Sequence, residues 1–227
     1  VSLKTLDLSQ PTPRVSALTP VSQRLLTRLK AWPAMVKARV TPYHFMHVWD
    51  GEGSGEIRFS ADEAGVPALG HIVENTVTLA ALNDQLAGHP KVTRIDGARV
   101  EALQTSTKGR WLVLDNGREL HAPLVVAADG ARSALRELAE IEVSEDDMDQ
   151  HAVVTTVRCE KPHGSTARQV FRDGEPLAFL PLTIADDDHY CSIVWSTTPK
   201  RAEALCERDA KALGEALGRA FEHRLGK

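Results

Sequence analysis

The stretch Leu124-Val-Val-Ala-Ala-Asp129-Gly130-Ala-Arg-Ser133-Ala-Leu-Arg136 holds the residue types best suited to chemistry in this 227-residue chain. Its five leading apolar residues, Leu124–Ala128, read as a strand covered on both faces. Such a strand would deliver Asp129 to its carboxyl end, where open α/β sheets bind ligands. A carboxylate there can accept hydrogen bonds from a sugar hydroxyl. Gly130 has no side chain to keep a ligand from the backbone. A helix over Ser133–Ala139 would turn its first N–H groups toward the same space, a place for anionic oxygens. The plainer alternative is that Asp129-Gly130 simply caps that helix.

The elements that must position this group follow from punctuation and periodicity. A weak alternation over Val1–Leu8 runs into Pro11 and Pro13, which force an extended turn. Thr19-Pro20 is a helix start, with Val21, Leu25, Leu26 and Leu29 on one apolar face. Ala31-Trp32-Pro33 begins a short second helix. Tyr43–Trp49 and Glu56–Phe59 read as strands about the turn Gly51–Gly55. A helix over Asn75–Ala87 has Leu79, Leu82 and Leu86 in register and stops at Gly88 and Pro90. Arg99–Leu103, Arg110–Leu114 and Glu119–Ala122 are short strands, the last two joined through Asn116-Gly117. Beyond an acidic connector, Glu142–Gln150, the strands Ala152–Glu160, Arg168–Arg172, Leu177–Leu182 and Tyr190–Ser196 follow without helices between them, which predicts an antiparallel sheet. Thr198-Pro199 opens a helical tail in which Leu213, Leu217 and Phe221 share a face.

Composition narrows the function classes. Apolar residues make up 42% and charged residues 26%, as in a globular domain with a real core. The formal net charge of −4 offers no basic face for a phosphate backbone, which argues against a nucleic-acid partner. No apolar run approaches the ~20 residues of a membrane span, and no signal-peptide layout is present, so a cytoplasmic setting is expected. Cys159, Cys191 and Cys206 have no metal-binding spacing and read as small buried hydrophobes. His44 and His47 point to opposite faces of a strand, and Asp186–Asp188 lacks calcium-loop spacing, so no metal site is expected.

The Asp129-Gly130 pattern resembles the Asp-Gly fingerprint of the class A flavoprotein monooxygenases, the aromatic-ring hydroxylases, with Arg136 a further member of it. Three other segments are similar to that family. Arg14-Val-Ser-Ala-Leu18 looks like the stretch whose arginine reaches the cofactor phosphates, a role suited to a rigid fork of donors. His71-Ile-Val-Glu74-Asn75 resembles the segment whose polar residue touches the flavin nucleotide, though Asn75 could equally cap its helix. Ala178-Phe-Leu-Pro-Leu182, Cys191-Ser-Ile-Val-Trp195 and Arg168-Gln-Val-Phe171 look like the branch that hydroxylates polyprenylated phenols in ubiquinone biosynthesis.

The resemblance implies an α/β (α+β) fold: a partial Rossmann-like FAD domain over 1–42 and 70–146, and an antiparallel substrate sheet of the p-hydroxybenzoate hydroxylase type over 43–69 and 147–227. It implies FAD held by Arg14, Asn75, Asp129, Gly130 and Arg136, and an apolar substrate wall of Phe179, Leu180, Pro181 and Val194. NAD(P)H as reductant, dioxygen and a phenolic substrate complete the set, with hydroxylation through a flavin C4a-hydroperoxide; no catalytic acid or base is named. A greasy substrate implies peripheral contact with the inner membrane face, and an oligomer or biosynthetic complex is admitted. The family's G-x-G-x-x-G and its second Gly-Asp motif have no match here: Gly51, Gly53 and Gly55 are followed by Glu56 where the third glycine belongs. The chain is therefore expected to begin after the first motif, to end before the second, to hold FAD weakly or not at all, and to lack hydroxylase activity by itself. A prenyl reductase or halogenase of the same fold, or a non-enzymatic prenyl- or lipid-binding module, remain the rival readings.

Overall fold

The structure is a computed structural model that describes residues 2–107 and 109–226. The chain divides into two compact units, Val1–Pro90 with Asp149–Lys227, and Lys91–Met148. The expected partition placed 1–42 and 70–90 with the second of these; in the structure they pack with the large sheet instead.

Unit 1 opens with a 3-10 turn at Leu3–Thr5 within the weakly alternating stretch; Val1 lies outside the described residues. Then come β1 (Val15–Leu18), α1 (Pro20–Arg28), α2 (Trp32–Ala38), β2 (Thr41–Tyr43), β3 (Phe45–Asp50), β4 (Glu56–Ser60), β5 (Gly70–Glu74) and α3 (Asn75–Ala87). Unit 2 holds β6 (Val100–Ser106), β7 (Gly109–Leu114), β8 (Glu119–Ala122) and α4 (Ala134–Leu138). The chain returns to unit 1 with β9 (His151–Arg158), β10 (Thr166–Arg172), β11 (Glu175–Ile184), β12 (Asp187–Thr197), α5 (Pro199–Cys206) and α6 (Ala210–Ala220).

The large sheet has the order β4-β3-β10-β11-β12-β9. The four strands expected to form an antiparallel sheet, β9 to β12, do pair antiparallel, and β3 joins them in parallel to β10, so the six-stranded sheet as a whole is mixed. Side chains alternate across a strand. Leu177 and Phe179 of β11, with Cys191, Ile193 and Trp195 of β12, fall on one face and are buried against Leu217, Phe221 and Leu225. Phe179 stacks on Phe221 with ring centroids 3.6 Å apart, and the Arg224 guanidinium covers Trp49 at 4.1 Å. The opposite face meets the small sheet β1-β5-β2 and the loop before it. Thr183 N–H donates to Thr41 Oγ1 at 2.9 Å, and Ser192 Oγ donates to the Pro13 carbonyl at 3.3 Å.

Two helices bury other faces than their leucines predict. Thr19 caps α1 as expected, but of its apolar residues only Leu26 is buried, among Ala31, Trp32, Met35, Val73 and Val77. In α3 the small residues Val77, Ala80 and Ala81 face inward, while Leu79 and Leu86 are exposed. Small side chains let a helix approach its support closely, and that outweighs the area the leucines would bury.

In unit 2, β6, β7 and β8 form an antiparallel meander, with Gly117 at φ 77° in its second turn as predicted. The segment Leu124–Ala128 departs from expectation. It is no strand, its backbone has no hydrogen-bond partner among the described residues, and Leu124 and Val126 are 74% and 73% exposed. Its composition demands neighbours on both sides, and the three-stranded sheet beside it ends at β8. An unpaired segment opens freely. Amide hydrogen exchange of residues 124–128 should therefore run near unprotected rates while Ile193 in β12 stays protected. Comparable protection at both places would contradict this description.

Candidate functional site

The candidate residues of unit 1 meet where β5 runs into α3. Val15 of β1 pairs with Glu74 in antiparallel register, which sets Arg14 opposite Asn75, whose N–H donates to the Arg14 carbonyl at 3.0 Å. Asn75 is the first helical residue and Glu74 the cap position, so Asn75 is not an N-cap. Its Oδ1 accepts from Ser16 Oγ at 2.6 Å, which leaves the amide N–H groups free to donate. The Arg14 guanidinium is exposed and has no partner among the described residues.

What fixes this junction is a buried ion pair that the sequence did not single out. Glu74, 2% exposed, accepts from Thr12 N–H at 2.6 Å and Thr12 Oγ1 at 3.2 Å. Its other oxygen lies 3.3 Å from Nη1 of Arg39, an ionic contact without hydrogen-bond alignment. Arg39 in turn donates through Nη2 to the Leu8 carbonyl. The Leu8–Arg14 segment is thus tied at both ends of its proline turn to the root of α3. The readable signal was an acidic residue closing the strand Gly70–Glu74, with two cations, Lys37 and Arg39, at the end of α2.

In unit 2, the Asp129 carboxylate accepts from Ser133 Oγ at 2.5 Å and from Leu135 N–H at 3.2 Å. These bonds hold it below the usual carboxylate range, the Ser133 hydroxyl contributing most. Ser133, buried, caps α4 through Arg136 N–H at 3.0 Å. The capping alternative therefore describes what this acid does in the chain, and it does so in solvent contact. The expectation that α4 offers free N–H groups is corrected: Asp129 and Ser133 already use them.

Beside this turn lies a cleft of about 810 Å³ lined by Val125, Ala127, Gly130, Arg136 and Arg110 among others. Its size falls within the roughly 300–1,000 Å³ of small-ligand sites. Gly130 stands at φ 90°, and a side chain there would meet nothing within 4 Å. Its backbone is thus open to a ligand in a conformation that favours glycine.

The four candidate wall residues do not share a face. Phe179 is committed to the core against Phe221, and Pro181 falls on the same side of β11. Leu180 and Val194 lie on the opposite face. Leu180 pairs directly with Ser192, whose hydroxyl bonds to Pro13, the residue before Arg14. The structure thus brings Leu180 and Val194, but not Phe179, to the side of the sheet that carries Arg14.

Other groups are engaged elsewhere. His47 Nε2 meets Glu56 at 2.9 Å. Asp187 accepts from Arg158 Nε at 2.9 Å and from His189, and the Arg158 contact leads in holding its pKa down at about 2. Cys159 and Cys191 are buried as expected, whereas Cys206 is exposed.

Comparison with known proteins identifies the class to which this fold belongs. A family model described as "FAD binding domain" matches residues 5–224, and the chain belongs to that family. It is 36% identical over 219 residues to 3-demethoxyubiquinol 3-hydroxylase of Escherichia coli, covering 96% of this chain and 54% of the relative. It is 34% identical over 223 residues to the mitochondrial ubiquinone biosynthesis monooxygenase COQ6 of Danio rerio, covering 92% and 44%. The chain thus spans about half the length of the curated relatives it matches. Among solved structures, PqsL of Pseudomonas aeruginosa, described as a probable FAD-dependent monooxygenase, superposes with a TM-score of 0.75 at 19% identity, covering 97% of this chain and 60% of that one. The shared fold is that of the flavin monooxygenases. Each unit by itself offers groups that suit FAD: in unit 1 the exposed Arg14 guanidinium and the Asn75 amide donors, in unit 2 the open Gly130 beside its cleft.

Removing one partner of a buried ion pair costs about 3–5 kcal/mol, whereas replacing both by apolar groups costs far less. Arg39→Met and Glu74→Met should each lower the urea midpoint accordingly, and the double variant should recover much of the loss. Small, additive losses would show that the pair does not hold the junction.

Proposed function

We propose that this chain supplies part of the FAD site and the substrate face of a monooxygenase that hydroxylates a polyprenylated phenol in ubiquinone biosynthesis. Bound FAD would supply the activation of dioxygen, with NAD(P)H as reductant. The chain's own residues bind, orient and exclude water. Arg14 would neutralise cofactor phosphate through its two-pronged donor set. The Asn75 amide would donate to the nucleotide from the first turn of α3. Gly130 would admit the nucleotide to the backbone, with Arg136 lining the same cleft. Asp129, kept ionised by Ser133 and Leu135, fixes the turn and can accept from a sugar hydroxyl on its remaining lone pairs. Leu180 and Val194 would form the apolar side against the phenol, with Phe179 and Pro181 supporting them from behind the strand. A substrate of this kind resides in the bilayer, so we also infer peripheral contact with the inner membrane face; no helix among the described residues is long and apolar enough to cross it. Assembly into an oligomer or biosynthetic complex is compatible with this reading.

The observation that carries the reading is Arg14: an exposed arginine whose side chain has no partner among the described residues, held by a buried ion pair beside free amide donors. Because its side chain makes no hydrogen bond or ion pair among the described residues, its loss should leave the fold intact. In the protein expressed from its complete gene, Arg14→Gln should weaken FAD retention about tenfold or more, the order of a lost charged hydrogen bond, without lowering the melting temperature. Asp129→Ala should weaken it as well, together with α4. Unchanged flavin content and unchanged reduction rate in Arg14→Gln would refute the assignment.

A further inference from the structure

The formal charge of −4 conceals a segregated distribution. Between Asp7 and Asp50 the chain has no acidic residue and six arginines and lysines: Arg14, Arg24, Arg28, Lys30, Lys37 and Arg39. The expectation that no basic face exists is thereby corrected. Arg39 is consumed by Glu74; Arg24, Arg28, Lys30 and Lys37 have no ion-pair partner among the described residues and are exposed.

Two of these cations, Arg24 and Arg28, flank one side of an apolar stripe that is exposed among the described residues of unit 1. Val21, Leu25 and Leu29 recur every four residues along one side of α1 and its C-cap, and Val21 and Leu25 are 64% and 57% exposed. At 100° per residue, Arg24 and Arg28 fall between that stripe and a third side of the helix, which borders a groove of about 610 Å³. The groove is lined by Arg24, Arg28, His44 and His71 and by no acidic residue. Burial, and then His44, push the His71 pKa below its ordinary value, while Arg24 and Arg28 bring permanent positive charge to the groove. An apolar stripe edged by unpaired cations is the pattern of a helix that lies in a membrane interface. Cations alone would suit a soluble anion, and leucines alone would suit a protein partner.

We propose that α1 is the face by which this protein rests on an anionic phospholipid surface, with Val21, Leu25 and Leu29 entering the interface and Arg24 and Arg28 meeting headgroup phosphates beside the groove. The proposal gives a surface to the peripheral contact inferred above, and so rests on that part of the reading, but it involves none of the residues assigned to FAD.

Vesicle flotation of the protein with phosphatidylcholine alone and with added phosphatidylglycerol tests it. Binding should require the anionic lipid and fall with salt. Each cation near such a surface is worth roughly fivefold, so Arg24→Gln with Arg28→Gln should weaken binding about twenty- to thirtyfold. Leu25→Glu should abolish it. Lys200→Gln, an exposed cation outside this face, should bind as the parent does. Circular dichroism should show all of these folded, as expected for exposed positions. No binding by the parent, parent-like binding by Leu25→Glu, or an equal loss in Lys200→Gln overturns the proposal. So does a self-associated parent that Leu25→Glu dissociates, which would assign the stripe to a second copy. Flavin absorbance of the unmutated product of the complete gene separates the two readings: failure of that protein to bind lipid while it retains FAD defeats this proposal alone, and lipid binding without FAD defeats the cofactor assignment alone.

Discussion

The buried pair of Glu74 and Arg39 is the constraint on which the candidate site in unit 1 depends. A charge with 2% exposure is tolerable only if its partners are fixed, and each partner here belongs to a different segment. Thr12 comes from the proline turn and Arg39 from the end of α2, while Glu74 itself closes β5 and roots α3. Satisfying one carboxylate therefore fixes three entries to the same place. Arg14 and Asn75, the residues on either side of that carboxylate's register, inherit their positions from it. The large sheet extends the same logic, because the Ser192 hydroxyl binds the Pro13 carbonyl and so ties the face that carries Leu180 and Val194 to the turn that carries Arg14.

Much of this was legible in the sequence because local chemistry decided it. Thr19-Pro20, Thr198-Pro199 and Asn116-Gly117 have backbone requirements that few other residues meet, and each forms the cap or turn it predicts. The strands of the large sheet fall where alternation put them. What was not legible depended on partners. Periodicity in α1 and α3 marked apolar faces but could not say which apolar residues the rest of the unit would cover. Phe179 and Leu180 read as one wall because adjacent apolar residues carry no mark of which side of a strand is open. Arg39 and Glu74 are far apart in sequence, and only the fold pairs them.

Leu124–Ala128 shows the same limit in its clearest form. A continuous apolar run states a demand for burial on both faces, and the described residues do not meet it. The Asp129 turn that follows is nonetheless well formed, because it depends on Ser133, Leu135 and Gly130 and not on the run before it. Its geometry is local, whereas the burial of the run is not.

The central claim is that the junction held by Glu74 and Arg39 presents Arg14 to a flavin nucleotide. The most direct test is an experimental structure of the gene's complete product with FAD bound, in which the distance from the Arg14 guanidinium to the cofactor is measured. The account predicts an Arg14 nitrogen within hydrogen-bond reach, about 3 Å, of a cofactor oxygen. A well-ordered flavin with Arg14 turned to solvent, and its phosphates held by other groups, would contradict it.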